Sequence, residues 1–369
     1  MTKANTITPR IVHLADQLVA DIEARKLKPG DRYLATADAS KLLGVGNGLA
    51  NRALQLLERR QIITRQQRRG AFVARPVDSD ASPSLRRIHF LVHQNYLMSE
   101  GIGNDLVLLG IQRELPEVDV QISFLPVSNA TEYVEELIDD SFRAKTRDGF
   151  ILVRTPYEVQ QLVSNRGVPA VVYGELYPGI SGLTRFNRDM ESVGRIAAEF
   201  LLSRGHEQIG YLARQQVLPG DHATMDAIRR AMAERGLLAD ALVERFLPSM
   251  AEVCEAAVYE WLKAANRPTA FICRSRMMAK AASRVFTELG LVLYRDIDLA
   301  LCDYYMLPSH EPEFVYPKPI YSSEEQGSRM AALLAARSRN VEAEDVIIPV
   351  ELDTSAADRE RFDGCNGDA

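Results

Sequence analysis

From residue 9 onward, apolar side chains recur at steps of three and four: Ile11, Leu14, Ala15, Leu18 and Ile22. That spacing predicts an amphipathic helix, opened by Thr8-Pro9 and stopped by the turn Lys28-Pro29-Gly30-Asp31. A second, short helix is expected over 36–43, ending at Gly44. A third follows over 47–59, with Leu49, Ala53, Leu54, Leu56 and Leu57 as its apolar face. Two short apolar runs, 62–65 and 71–73, then flank Gln66-Gln67-Arg68-Arg69-Gly70 and read as a hairpin with a basic tip. Three helices and a basic hairpin predict a winged helix-turn-helix over residues 1–76.

The pattern then changes. Val77-Asp78-Ser79-Asp80-Ala81-Ser82-Pro83-Ser84 is small and polar, so residues 77–85 read as a linker. Beyond it, apolar strand candidates at 88–92, 120–124, 149–153, 170–173, 208–212, 270–273 and 297–302 alternate with amphipathic helices. Such alternation predicts an α/β body with parallel, doubly wound sheets over 86–352. Residues 353–369 are expected to be a flexible tail.

Charge divides the chain at the same place. Residues 1–75 hold 14 lysines and arginines against 6 acids; the remainder holds 30 against 44, within a chain of net charge −6. A basic head on an acidic body suits a nucleic-acid-binding module carried by a regulatory domain. No run approaches the roughly 18 apolar residues that span a bilayer, and Met1 to Thr8 lacks the core of a secretion signal. A cytoplasmic protein without a membrane partner is therefore expected. Cys254, Cys273, Cys302 and Cys365 show no paired spacing, which points to reduced core thiols and a free tail thiol.

The head resembles the GntR family of regulators. The likeness is carried by Leu27-Lys28-Pro29-Gly30-Asp31-Arg32, Leu43-Gly44-Val45, Arg52-Ala53-Leu54-Gln55-Leu56-Leu57-Glu58 and Arg69-Gly70-Ala71-Phe72-Val73. It departs where the family's Leu-Pro-Ser-Glu-Arg reads Tyr33-Leu34-Ala35-Thr36-Ala37, and where a Ser-Arg opening of the recognition helix reads Gly46-Asn47. The body resembles the sensor domain of LacI-type regulators, itself similar to periplasmic sugar-binding proteins. Asp148-Gly149-Phe150-Ile151-Leu152, Arg204-Gly205-His206-Glu207-Gln208-Ile209 and Pro268-Thr269-Ala270-Phe271-Ile272-Cys273 carry that likeness. It implies two lobes joined by three crossovers, with an effector in the cleft, as in arabinose-repressor-like proteins.

Asn47 and Asn51 lie four apart on one face of the third helix, and asparagine can pair bidentately with adenine in the major groove. Arg52 stands beside them, and Arg65, Arg68 and Arg69 suit phosphate or minor-groove contact from the wing. Arg59, Arg60 and Lys41 are weaker candidates. In the body, Tyr96, Arg154, Tyr173, Glu175, Asn187, Arg276, Asp303, Tyr304 and Tyr305 stand near expected strand ends, where ligands of such sheets bind. Thr224 and Ser275-Arg276 occupy positions where the resemblance implies an arginine and an Asn-Asp pair. Arg154 and Arg276 together favour an acidic or phosphorylated ligand over a neutral sugar.

The expected partners are double-stranded operator DNA, a sugar or sugar-derived effector, and a second copy of the chain in a homodimer. No cofactor or metal is expected. His89 and His93 are four apart but fall in a strand, where they read as structural neighbours. There is no Walker loop, Gly-x-Ser-x-Gly or HExxH, so an enzyme is not expected. The leading reading is a repressor whose sensor binds a small molecule. A regulator whose body serves only dimerisation stays open beside it, and an enzyme of the sensor fold stands further back.

Overall fold

The computed structural model describes residues 9–59, 62–66, 70–74, 85–93, 105–144, 146–304 and 311–359. The head contains helices α1 (Pro9–Ala24), α2 (Thr36–Leu43) and α3 (Asn47–Arg59) and strands β1 (Arg32–Tyr33), β2 (Ile63–Gln66) and β3 (Gly70–Val73). The strands form an antiparallel sheet in the order β1-β3-β2. Ile11, Leu18, Ile22, Ala53, Leu54 and Leu57 are buried in one core with Tyr33 and Val73. The helical period of the apolar residues thus becomes a single packed face. Tyr33 ties the first strand to the first helix, its hydroxyl donating to Leu18 O at 3.0 Å and lying 3.0 Å from Asp21 Oδ2.

The turn between α2 and α3 depends on Gly44. Its φ of 63° is left-handed, and its N–H closes on Ser40 O and Lys41 O. Any side chain would be strained there. Ser40 Oγ donates to Val45 O at 2.8 Å and completes the turn.

The body is two parallel sheets. The first lobe takes strands β4 (Leu85–His93), β5 (Asp119–Leu125), β6 (Arg147–Val153), β7 (Ala170–Tyr173), β8 (Thr184–Arg188) and β14 (Val346–Ile348), in the order β14-β8-β7-β6-β4-β5. The second takes β9 (Ile209–Arg214), β10 (Leu242–Leu247), β11 (Ala270–Cys273) and β12 (Asp298–Leu301), in the order β10-β9-β11-β12. Every residue of β9, β11 and β12 is buried. This is why these segments read as continuous apolar runs: helices cover both faces of a parallel sheet.

Three crossings join the lobes. Asp189 leads from β8 into α7 (Met190–Ser203) of the second lobe; residues 320–322 lead from β13 (Tyr316–Pro319) into α11 (Ser323–Ser338) of the first; Pro349 leads from β14 into β15 (Val350–Asp353). The crossings are bonded to one another. Asp189 N donates to Ile348 O at 2.9 Å and Ile320 N to Pro349 O at 3.1 Å. Between β4 and β5 of the first lobe runs α4 (Asp105–Glu114), which packs on α11.

Two expected boundaries change. Leu85 belongs to β4 and not to the linker, because its side chain is buried in the lobe core. The tail does not begin at 353: residues 355–359 are helical, and Ala356 and Ala357 are buried against the second lobe. Residues 77–84 and Cys365 lie outside the described residues. Cys254, Cys273 and Cys302 are free and buried.

Candidate functional sites

On the head, α3 buries Ala50, Ala53, Leu54, Leu56 and Leu57. The opposite face presents Asn47 and Arg52 exposed and Asn51 half-buried. Arg65 is exposed on β2, next to the wing. Lys41 is exposed on α2. Arg60, Arg68 and Arg69, like the side chain of Arg59, lie outside the described residues. The described side chains form a polar face at the start of a helix, with a cation beside it, which is the chemistry a major groove requires.

In the body, a cavity of about 110 Å³ lies between the lobes, room for several waters. Its walls come from the carboxyl ends of strands in both sheets. Arg154 follows β6, Tyr173 ends β7 and Glu175 follows it, Asn187 and Arg188 end β8, Arg214 ends β9, Arg274 follows β11, and Asp303 and Tyr304 follow β12. Helix α8 (Pro219–Glu234) adds Gly220 and Asp221 from its first turn. A Cβ on Gly220 would meet Met190 Cγ at 3.2 Å, Glu175 Cβ at 3.7 Å and Asn187 Nδ2 at 3.8 Å. The absence of a side chain there lets the lobes approach. Arg154 has φ 51°, a left-handed conformation uncommon outside glycine; such strain is concentrated at functional sites.

The cavity is strongly charged. Asp221 is buried and accepts from Arg274 Nε and, at 3.0 Å, from Leu218 N, while Arg214 Nη1 lies 3.7 Å away. Burial alone would raise its pKa. The two guanidiniums and the backbone bond outweigh burial and hold it at about 2. Arg274 is driven the other way: its burial favours the neutral form, but Asp221 above all keeps it firmly charged. Arg188 donates to Cys302 O at 3.2 Å and lies 4.6 Å over the Tyr304 ring. Tyr304 and Tyr173 share a hydroxyl contact of 2.6 Å across the lobes, and Tyr173 donates on to Gln326 Oε1 at 2.8 Å. Glu175 accepts from Arg185 and, at 3.2 Å, from Asn187 Nδ2.

Arg154, Tyr173, Glu175, Asn187, Asp303 and Tyr304 therefore line one cavity. Thr224, Ser275 and Arg276 do not. Thr224 is wholly buried and its hydroxyl donates to Met190 O at 3.0 Å, fastening α8 to α7. Ser275 caps α10 (Arg276–Glu288), its side chain accepting from Met278 N. Arg276 is the first residue of that helix, past the strand end, and is absent from the cavity wall. The arginine of this loop that faces the cavity is Arg274. Tyr96 and Tyr305 lie outside the described residues. Arg188, Arg214, Asp221 and Arg274 were missed as candidates; Arg214 and Arg274 each directly follow an apolar run, which was the available signal for those two, while Arg188 and Asp221 follow none. His89 Nε2 sits 3.1 Å from Asp148 Oδ2 in the core, with its ring stacked on Phe150. Among the described residues, no group of histidines, cysteines and acids could hold a metal.

Residues 11–73 match the model of the bacterial regulatory proteins of the gntR family, and residues 198–354 match that of the periplasmic binding protein-like domain. The chain joins a GntR-family head to a periplasmic-binding-protein-like body. Among curated proteins, the HTH-type transcriptional regulator AglR of Rhizobium meliloti (strain 1021) is 29% identical over 154 residues, 42% of this chain and 43% of AglR. The match thus spans less than half of that relative. Among solved structures, a regulatory protein of the LacI family from Chloroflexus aggregans is 20% identical, covering 72% of this chain and 96% of its own, with a TM-score of 0.60. A LacI family transcriptional regulator from Enterococcus faecium with bound ribose is 19% identical, covering 73% and 97%, with a TM-score of 0.59. The transcriptional regulator CelR in complex with cellobiose is 19% identical, covering 87% and 98%, with a TM-score of 0.60. At these identities the likeness is one of fold. Among the described residues of this GntR-headed chain, no helix is long and apolar enough to cross a membrane.

Proposed function

We propose that the chain is a cytoplasmic transcription regulator, a homodimeric repressor whose grip on operator DNA is set by a sugar or sugar derivative held between the two lobes. One observation carries this reading: a polar cavity built from strand ends of both lobes, next to bonded crossings, on the same chain as a helix-turn-helix. A ligand touching both walls binds the closed arrangement better than the open one, and that difference in affinity is what shifts the heads. The neighbours carrying ribose and cellobiose support a carbohydrate ligand. The role is binding without catalysis. Cys302, whose backbone carbonyl holds Arg188, has a thiol pKa pushed up by burial to about 12, so that thiol is no nucleophile at neutral pH.

The test has two steps. Genomic fragments retained by the purified full chain are sequenced, and the best of them is titrated with protein in the presence of candidate sugars. A discrete operator whose affinity changes with one sugar is the expected result. Retention of all fragments alike, insensitive to every sugar, would sink the proposal.

A further inference from the structure

We infer that the molecule bound between the lobes is an anion: a polyhydroxylated compound bearing a carboxylate or phosphate that sits against Arg188 and Arg274. This rests on reading the cleft as the effector site. Four arginines line the cavity (Arg154, Arg188, Arg214 and Arg274) against three carboxylates, Glu175, Asp221 and Asp303. Two of the carboxylates are already engaged, Asp221 by Arg274 Nε and Glu175 by Arg185 and Asn187. The wall therefore carries one more cationic side chain than anionic ones.

Arg188 and Arg274 are only 8% and 6% exposed, and the Nη1 atom of each is buried without a hydrogen-bond partner. A buried guanidinium donor left unmatched is costly. An oxyanion removes that cost at both atoms and cancels the surplus charge. Both side chains are already held, Arg188 by Cys302 O and the Tyr304 ring, Arg274 by Asp221, so binding the anion immobilises little. Asp303 completes the ligand's description. Its Oδ2 is likewise buried without a partner, and a carboxylate can only accept. It calls for a donor, which the hydroxyls of a sugar acid or sugar phosphate supply. A neutral sugar would satisfy Asp303 and leave the arginine surplus standing.

Calorimetry on the full chain with matched trios tests this: glucose, glucuronate and glucose 6-phosphate; galactose, galacturonate and galactose 1-phosphate; with inorganic phosphate as the charge-only control. An anionic member is expected to bind about tenfold or more tighter than its neutral partner. A gain confined to the uronates assigns the carboxylate, and one confined to the esters assigns the phosphate. Arg188→Gln and Arg274→Gln should each erase the preference, and Arg188→Lys, which keeps the charge, should restore part of it. Thermal melts establish that these variants fold. A neutral sugar binding as tightly as its anions overturns the inference and leaves the sensor reading intact, as does a preference that survives both glutamine variants. If no member of either trio binds while operator binding persists, both readings fall.

Discussion

Asp221 is the residue on which the second lobe's side of the cavity turns. Its pKa of about 2, against an ordinary 3.8, means that the folded state prefers the carboxylate more than the unfolded chain does. A depressed acid contributes stability above its unfolded pKa and loses it as pH falls through the folded value. The window is therefore about pH 4 down to about 2, and the contribution is about 2 kcal/mol. Asp221→Asn should flatten stability across that window. At neutral pH it should cost more than this, because Arg274 is left buried without its counter-charge. Urea melts of both proteins from pH 2 to 7 check this; parallel pH profiles would refute the coupling. On the head, Asn47→Ala and Asn51→Ala should each relax base preference by roughly 1–3 kcal/mol. Arg65→Ala should weaken all sequences alike. Binding to a panel of single-base operator variants separates the two, and an unchanged preference in the Asn variants would show that another register of α3 faces the bases.

At the scale of elements, α4 and α11 meet through a reciprocal pair of glycines. A Cβ on Gly110 would lie 2.0 Å from Glu324 O, and one on Gly327 would lie 2.0 Å from Val107 O. The two backbones are in contact, and neither helix can recede without opening the first lobe. Gly110→Ala and Gly327→Ala should each destabilise by about 1–3 kcal/mol. Gly48→Ala, in the first turn of α3, meets nothing within 4 Å and should stabilise through helix propensity by less than the roughly 0.5–1 kcal/mol of a mid-helix position. Chemical denaturation reads all three, and a common sign would contradict the packing argument. How legible such features were follows from their physics. The α3 helix was visible because its apolar face has the helical period, and β11 and β12 because a doubly covered strand is a continuous apolar run. Position along the chain separated Arg274, directly after the apolar run 270–273, from Arg276, two residues further on and already in the next helix, yet the resemblance drew attention to the second of them. β9 runs two residues past the expected 208–212, because Ala213 continues its apolar run, and this hid Arg214. Thr224 stood at the position the resemblance assigns to a ligand contact, yet it serves helix packing: a Cβ on Gly194 would lie 2.2 Å from Thr224 O, so the helices are too close for that site to reach the cavity.

At the scale of the whole molecule, one head reads too few bases to pick an operator out of a genome, so a pair of heads on two similar half-sites is expected. The body offers a surface for pairing. Strand β5 is the edge of the six-stranded sheet, and Ile122 and Phe124, two residues apart on one face, are 43% and 41% exposed. Leu109 on α4, of the same lobe, is 41% exposed. An apolar edge strand is a hazard in a monomer and an asset when a second copy covers it. Joint replacement of Ile122 and Phe124 by Glu should thus give a folded monomer by sedimentation. Its operator binding should weaken steeply, because the second head no longer arrives with the first. The salt dependence should change as well. Each phosphate neutralised contributes a log–log slope of about −0.9, so losing one of two heads should roughly halve the slope of the parent protein. A parent that sediments as a monomer both free and on DNA would reject the two-headed reading. A charged variant that stays dimeric would place the pairing surface elsewhere on the body.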